Sequence, residues 1–208
     1  MTKPPVLRPD PLEAAVRSML GTIDVSEEDR NNPSLDLANS PRRIAKMLRH
    51  ELLAGYKPGA DEALKKSFTL FESDGSDAMV SQGPVEFHSM CSHHWLPFSG
   101  TAFVGYLPDK YLVGASKFSR VLTHYSRMFQ IQERLGRQVA DFIYEHAKPR
   151  IVIVALRAGH YCMKCRGVMQ PNSEMVTTAI RPYDFSEKYR GVVDEFYFQL
   201  KMLDRRRL

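Results

Sequence analysis

The apolar positions of the chain switch between a helical and a strand period four times. Leu12 to Leu20 carry a short helical pattern, and NSPRRIAKMLRHELLAGY places Ile44, Leu48 and Leu52 four apart on one face. Ser40 is the expected N-cap of that second helix, Pro41 its first residue and Gly55 its stop. From Met79 the pattern changes. MVSQGPVEFHSMC and SGTAFVGYLP read as strands bounded by glycine and proline, with CSHH at a strand end or in the loop between them. GASKFSRVLTHYSRMFQIQERLGRQVADFIYEHAKP then predicts one long helix or two joined ones. Its second part aligns Ile131, Leu135, Val139 and Phe142 at spacings of three and four, and Lys148-Pro149 closes it. RIVIVALRAGHYCMKCRGVMQ predicts a long strand and EMVTTAI a short one. From about Phe185 to Leu203 the pattern is that of a closing amphipathic helix.

Strands and helices in blocks, without repeating β-α-β units, predict an α+β domain around an antiparallel sheet. The expected division is a flexible proline-rich arm over residues 1–11, an N-terminal helical region over 12–60 and a catalytic domain over 61–208. The 208 residues are 43% hydrophobic and 25% charged, ordinary for a soluble globular protein. No apolar run approaches the roughly 18 residues of a membrane helix. MTKPPVLRPDP has no apolar core of a secretory signal, so a cytoplasmic protein is expected. The net charge of +5 is spread along the chain apart from Arg205, Arg206 and Arg207. That distribution points away from nucleic acid and toward a small anionic ligand.

The three cysteines, Cys91, Cys162 and Cys165, are an odd number in such a chain, which favours metal binding or catalysis over disulfides. On a regular strand, residues two apart share a face. His160, Cys162, Lys164 and Arg166 would then point one way, as suits a pocket for a metal and an anion. The rival is a shared C-x-x-C ligand pair. On a strand, Cys162 and Cys165 face opposite sides; a turn at Met163-Lys164 would be needed to join them. Cys165 is therefore read as a buried apolar cysteine. Cys91 and His94, a C-x-x-H pair, with Cys162 give two thiolates and one imidazole, the three protein ligands of a catalytic zinc. His93 and His160 are the candidate acid–base groups. Ser116, Lys117 and Arg120 lie at a helix start that favours anions, against the plainer reading of a solvated helix face. Glu133, beside Gln132, can accept two hydrogen bonds from an amidine-like edge such as guanine's; the plainer reading is an exposed helical glutamate.

In order, SPRRIAKM, CSHHWLPFSG, VGYLP, GASKFSR, QIQERL and HYCMKCRG, with a weaker NSEMVTT, resemble the GTP cyclohydrolase I family over roughly residues 12 to 203. The resemblance implies zinc on Cys91, His94 and Cys162, with His93 and His160 at catalytic positions. It further implies Glu133 as the guanine anchor with Gln132 beside it. Ser116, Lys117, Arg120 and Arg166 would serve the triphosphate and ribose. The implied fold is the tunnelling fold, an antiparallel sheet with helices packed on one side. Its subunits join their sheets into barrels, and its members form toroidal decamers with active sites between subunits. The implied substrate is GTP. Water activated at zinc would open its imidazole ring at C8 and release formate, and rearrangement would give 7,8-dihydroneopterin triphosphate.

The chain departs from the family pattern at several points. Ser92 stands where C-E-H-H has a glutamate, and Met128 where a basic residue is usual. Ser173-Glu174-Met175-Val176-Thr177 replaces S-x-T-x-T, and the glycine that commonly follows is absent around Arg181-Pro182. Every implied ligand and catalytic residue is present. Two alternatives stay open: a related purine nucleotide hydrolase that stops before the pterin, and a silent paralogue that binds nucleotide or pterin.

Overall fold

The computed structural model of the chain describes residues 10–75, 78–182 and 187–204. The expected arm, apart from its last two residues, and the C-terminal arginine run lie outside them. Two compact units divide the chain, the first running to Ala54 and the second starting at Gly55.

In the first unit, α1 (Pro11–Gly21) starts as its residues require: the Asp10 side chain accepts a hydrogen bond from the Leu12 N–H at 2.9 Å, and Pro11 opens the helix. A short α2 (Glu27–Asn31) is capped by Ser26. Ser40 does not cap α3 (Ser40–Met47) but begins it. A 3₁₀ turn over Leu37–Asn39 leads straight into the helix, and Asn39 already has helical backbone angles. There is no break for a cap to fill. After Met47 the helix widens into a π turn over Leu48–Leu52, so it ends before Gly55. Gly55 matters for a different reason. A Cβ there would lie 2.7 Å from the His124 carbonyl oxygen and 2.8 Å from that of Arg127, which accepts the Gly55 N–H at 2.9 Å.

The second unit begins with α4 (Ala60–Ser67), a helix that the periodicity did not reveal. Strands β1 (Leu70–Glu72) and β4 (Tyr111–Val113) make a small antiparallel ribbon. The main sheet contains β2 (Val80–Cys91), β3 (Pro97–Leu107), β5 (Phe129–Gln130), β6 (Ile151–His160) and β7 (Met175–Arg181), in the order β5-β2-β3-β6-β7. Its pairs are antiparallel except β2 with β5. Of the two forms expected, one long helix or two joined ones, the chain takes the second: α5 (Ser116–Ser126) and α6 (Gln132–Ala147), separated by the two-residue β5. Ile131, aligned with the apolar face from the sequence, has extended backbone and is 40% exposed just before α6.

Both faces of the central strands are covered. Val104 and Tyr106 of β3 and Val152, Val154 and Leu156 of β6 pack with Val121 and Leu122 of α5 and Leu135, Val139 and Ile143 of α6. On the other face, Phe103, Leu107, Ile151 and Ile153 gather around Phe196 of the C-terminal helix α8 (Glu187–Leu203). A strand buried on both faces has no reason to alternate, which is why β6 reads as the continuous run IVIVAL. Arg157 of β6 donates to Asp204 beyond the end of α8 at 2.9 Å.

The long strand expected through residue 170 stops at His160. Tyr161 to Lys164 form the helical turn α7. His160, Cys162, Lys164 and Arg166 are therefore not one face of a strand.

Candidate metal centre

β2 and β6 are separated in the sheet by β3, and their ends reach the same edge of it: Phe98 pairs with His160, and Met90 with Pro97. Cys91 is the last residue of β2 and is buried; Cys162 follows β6 by two residues and is half-buried. Between β2 and β3 the chain turns tightly over Ser92–Trp95. The Trp95 N–H donates to the Cys91 carbonyl at 3.0 Å, and the Cys91 N–H to the Leu96 carbonyl at 2.9 Å. The Ser92 N–H donates to the Gln130 carbonyl at 3.0 Å, tying the turn to β5. Trp95 closes it with a φ of 54° and sets its ring against Phe129, centroids 4.9 Å apart.

That turn returns His94 to Cys91. One donor atom from each of Cys91, His94 and Cys162 lies within 4.8 Å of the others. Cys91 Sγ is 4.0 Å from His94 Nδ1. Donors on a tetrahedral zinc with ordinary bond lengths stand about 3.6–3.8 Å apart. The three side chains fit such an ion with only a small contraction. The donor set itself, two soft thiols and an imidazole, is one that divalent zinc favours.

Burial raises the thiol pKa of Cys162, and the adjacent Cys91 sulfur raises it further, while Arg166 opposes the shift. A thiol whose proton is held in this way gives it up most readily to a cation. Cys165 stays out of the group. The turn that would permit a shared C-x-x-C site is present, but the Cys165 thiol donates to the Tyr161 carbonyl at 3.0 Å. Cys165 is also exposed, which corrects the expectation of a buried apolar cysteine. A residue on the outside of a one-turn helix has no core to enter.

Two further histidines flank the group. His93 is exposed, with its Nδ1 3.9 Å from Cys91 Sγ. His160 is half-buried and lies flat on Phe98, ring centroids 4.5 Å apart and planes 3° from parallel. Its pKa is lowered, chiefly by burial and also by the Lys164 ammonium; the Glu133 carboxylate pulls the other way. Lys164 comes close because Gly159 leaves room: a Cβ there would be 2.3 Å from Nζ. Glu133 is exposed in the first turn of α6.

Gln132, expected among the substrate contacts, is 1% exposed, and its amide is engaged inside the chain. Its Nε2 donates toward the Leu156 carbonyl, the Met175 carbonyl and Thr177 Oγ1 at 3.0–3.1 Å, and its Oε1 is 2.9 Å from His160 Nε2. Ser116, Lys117 and Arg120 stand in the first turns of α5, as expected. Among the described residues, no hydrogen bond or ion pair joins them to the Cys91–His94–Cys162 group. Arg166, exposed after α7, reaches it electrostatically through Cys162. From the sequence, Phe98 and Thr177 are given no role of their own. Phe98 could have been found only from the strand pairing that sets it opposite His160.

Two cysteines and a histidine lie close enough to hold one metal ion, with two further histidines near them, and Cys165 stands apart from the group, as it would not in a redox dithiol. The sequence profile of the GTP cyclohydrolase I family matches residues 12–191, and the chain belongs to that family. The protein named GTP cyclohydrolase 1 from Gloeobacter violaceus is 41% identical over 171 residues, 82% of this chain and 76% of that one. Its namesakes from Streptococcus pneumoniae and Clostridium kluyveri are 38% and 37% identical over 170 residues, again 82% of this chain and 87% and 86% of theirs. Among solved structures, the archaeosine synthase QueF-Like in its apo form matches at a TM-score of 0.37 and 14% identity, covering 50% of this chain and 90% of that one.

Proposed function

We propose that this chain hydrolyses the imidazole ring of GTP at C8, releases formate and carries the product on to 7,8-dihydroneopterin triphosphate. The observation that carries the reading is the convergence of Cys91, His94 and Cys162, with His160 beside them, in a member of this family. Cys91, His94 and Cys162 would hold zinc, which when bound supplies the Lewis acid that makes water nucleophilic at neutral pH. His160, kept neutral by burial and steadied on Phe98, takes the role of proton carrier to the purine ring, and His93 that of a second one at the exposed side. Glu133 recognises the guanine edge through its exposed carboxylate. Arg166, Lys117, Arg120 and Ser116 bind the triphosphate and ribose.

Among the described residues no hydrogen bond or ion pair joins Lys117, Arg120 or Ser116 to the metal group, which supports an assembly in which another copy contributes them. A toroidal homodecamer in the cytoplasm, with active sites between subunits, is the form we infer. Ser92 favours one second reading. A serine offers no carboxylate beside the metal, and an enzyme so altered would open the ring yet stop before the pterin.

The test uses purified protein with stoichiometric zinc and GTP, following formate release and pterin fluorescence together. Equal amounts of both support the full reaction. Formate alone selects the second reading, and neither signal with zinc bound overturns both.

A further inference from the structure

We propose that Gln132 is a positioning residue that fixes which ring nitrogen of His160 carries the proton. The argument is one of hydrogen-bond satisfiability. Two of the three groups around the Gln132 amide nitrogen are backbone carbonyls, of Leu156 at 3.1 Å and Met175 at 3.0 Å, which can only accept. Thr177 Oγ1, at 3.1 Å, can accept as well. Turning the amide over would set its oxygen against those two carbonyl oxygens, so this end is the NH₂ and the other end is the oxygen.

The oxygen then lies 2.9 Å from His160 Nε2. An amide oxygen cannot donate, so the hydrogen between them belongs to Nε2. A neutral His160 held this way has its lone pair on Nδ1, and any proton exchanged with a substrate passes through Nδ1. The constraint is stiff because its parts come from different elements. Gln132 opens α6, Leu156 and His160 belong to β6, and Met175 and Thr177 to β7. Phe98 from β3 fixes the plane of the ring. Gln132 is buried, so solvent does not compete for either end of the amide. The acceptor set could not be read from QIQERL, because Met175 and Thr177 lie more than forty residues further on.

This inference rests on the acid–base role given to His160 above, and the experiment separates the two. In full-length, zinc-loaded protein with ¹⁵N-labelled histidine, long-range ¹H–¹⁵N spectra above neutral pH identify the ring tautomer without any turnover. His160 is expected as the Nε2–H form. The Nδ1–H form, or a mixture of the two, overturns the proposal. Gln132→Met removes the acceptor at similar volume. It should turn the His160 signal into a tautomer mixture and lower kcat by about 10²-fold, the low end of what general acid–base help contributes, with zinc content and KM nearly unchanged. An unaltered tautomer and kcat in that variant would also overturn it. If the natural protein shows the Nε2–H form yet releases no formate from GTP, the functional reading fails while the tautomer assignment is supported.

Discussion

His160 and Phe98 are cross-strand partners whose rings lie parallel, 4.5 Å apart, at the end of the β3–β6 ladder. Phe98 is fully buried, so the platform under the imidazole is part of the core. Phe98→Leu is expected to keep most of the packing while removing the flat surface. Stability should fall by about 1 kcal/mol, within the range for hydrophobic swaps of similar volume. Zinc content should hold and kcat should drop more than KM rises. Denaturation curves and steady-state kinetics on the same samples check this, and an unchanged kcat would remove Phe98 from the site.

The two cysteines of C-x-x-C should respond in opposite ways. Cys162→Ser is expected to abolish stoichiometric zinc and activity, because two ligands remain of three. Cys165→Ser loses only a thiol–carbonyl hydrogen bond on an exposed turn and should retain both. Elemental analysis of the purified variants decides between them; the reverse pattern would mean the ligand set is wrong.

Glu133→Gln should weaken guanine recognition selectively. The carboxylate can accept two hydrogen bonds, whereas the amide accepts at one end and donates at the other. The expected result is a loss of about ten- to a hundredfold in kcat/KM for GTP, the value of one charge-assisted contact at roughly 1.5–3 kcal/mol. Zinc binding should be intact. Competition by ATP is the control, and unchanged preference for GTP would exclude the role.

Alkaline stability offers a test away from the site. Tyr125 packs against Phe142, and burial, reinforced by the carboxylates of Asp61, Glu145 and Asp141, pushes its phenol up to about 12 from the ordinary 10.0. A raised folded pKa means that the folded chain keeps a proton the unfolded chain has lost. Its contribution is fully present below pH 10 and disappears as pH rises from 10 to about 12. Tyr125→Phe should therefore lower the pH dependence of unfolding in that window by roughly one proton. Equilibrium denaturation at several alkaline pH values measures it; identical slopes would show that Tyr125 ionises freely while folded.

The parts of the fold that were legible in the sequence are those where one physical signal dominated. β2 and β3 are flagged by turn residues, α6 by Leu135, Val139 and Phe142, and β6 by its apolar run. What was illegible depended on partners distant in the chain. The end of β6 is one example: HYCMKC continues a plausible strand, and only the fold shows that the ladder with β3 ends at Phe98–His160 and the backbone coils into a turn. The site shows the same division. Cys91, His94 and Cys162 could be chosen from residue type and spacing, and the structure brings them together, although the strand-face argument that excluded Cys165 was the wrong one. Gln132 looked like a neighbour of Glu133 facing substrate because both stand in QIQERL, yet one is buried and the other exposed.

The separation of Cys91 from Cys162 has a consequence beyond chemistry. The chain between them holds β3, β4, α5, β5, α6 and all of β6. An ion bound by both sulfurs would tie the two ends of that span together, and an unfolded chain, in which those ends are far apart, offers no such site. Metal held by the native form alone draws the folding equilibrium toward that form. Loss of zinc would then loosen the sheet as a whole rather than one loop, and the metal would serve as a removable clasp on the domain.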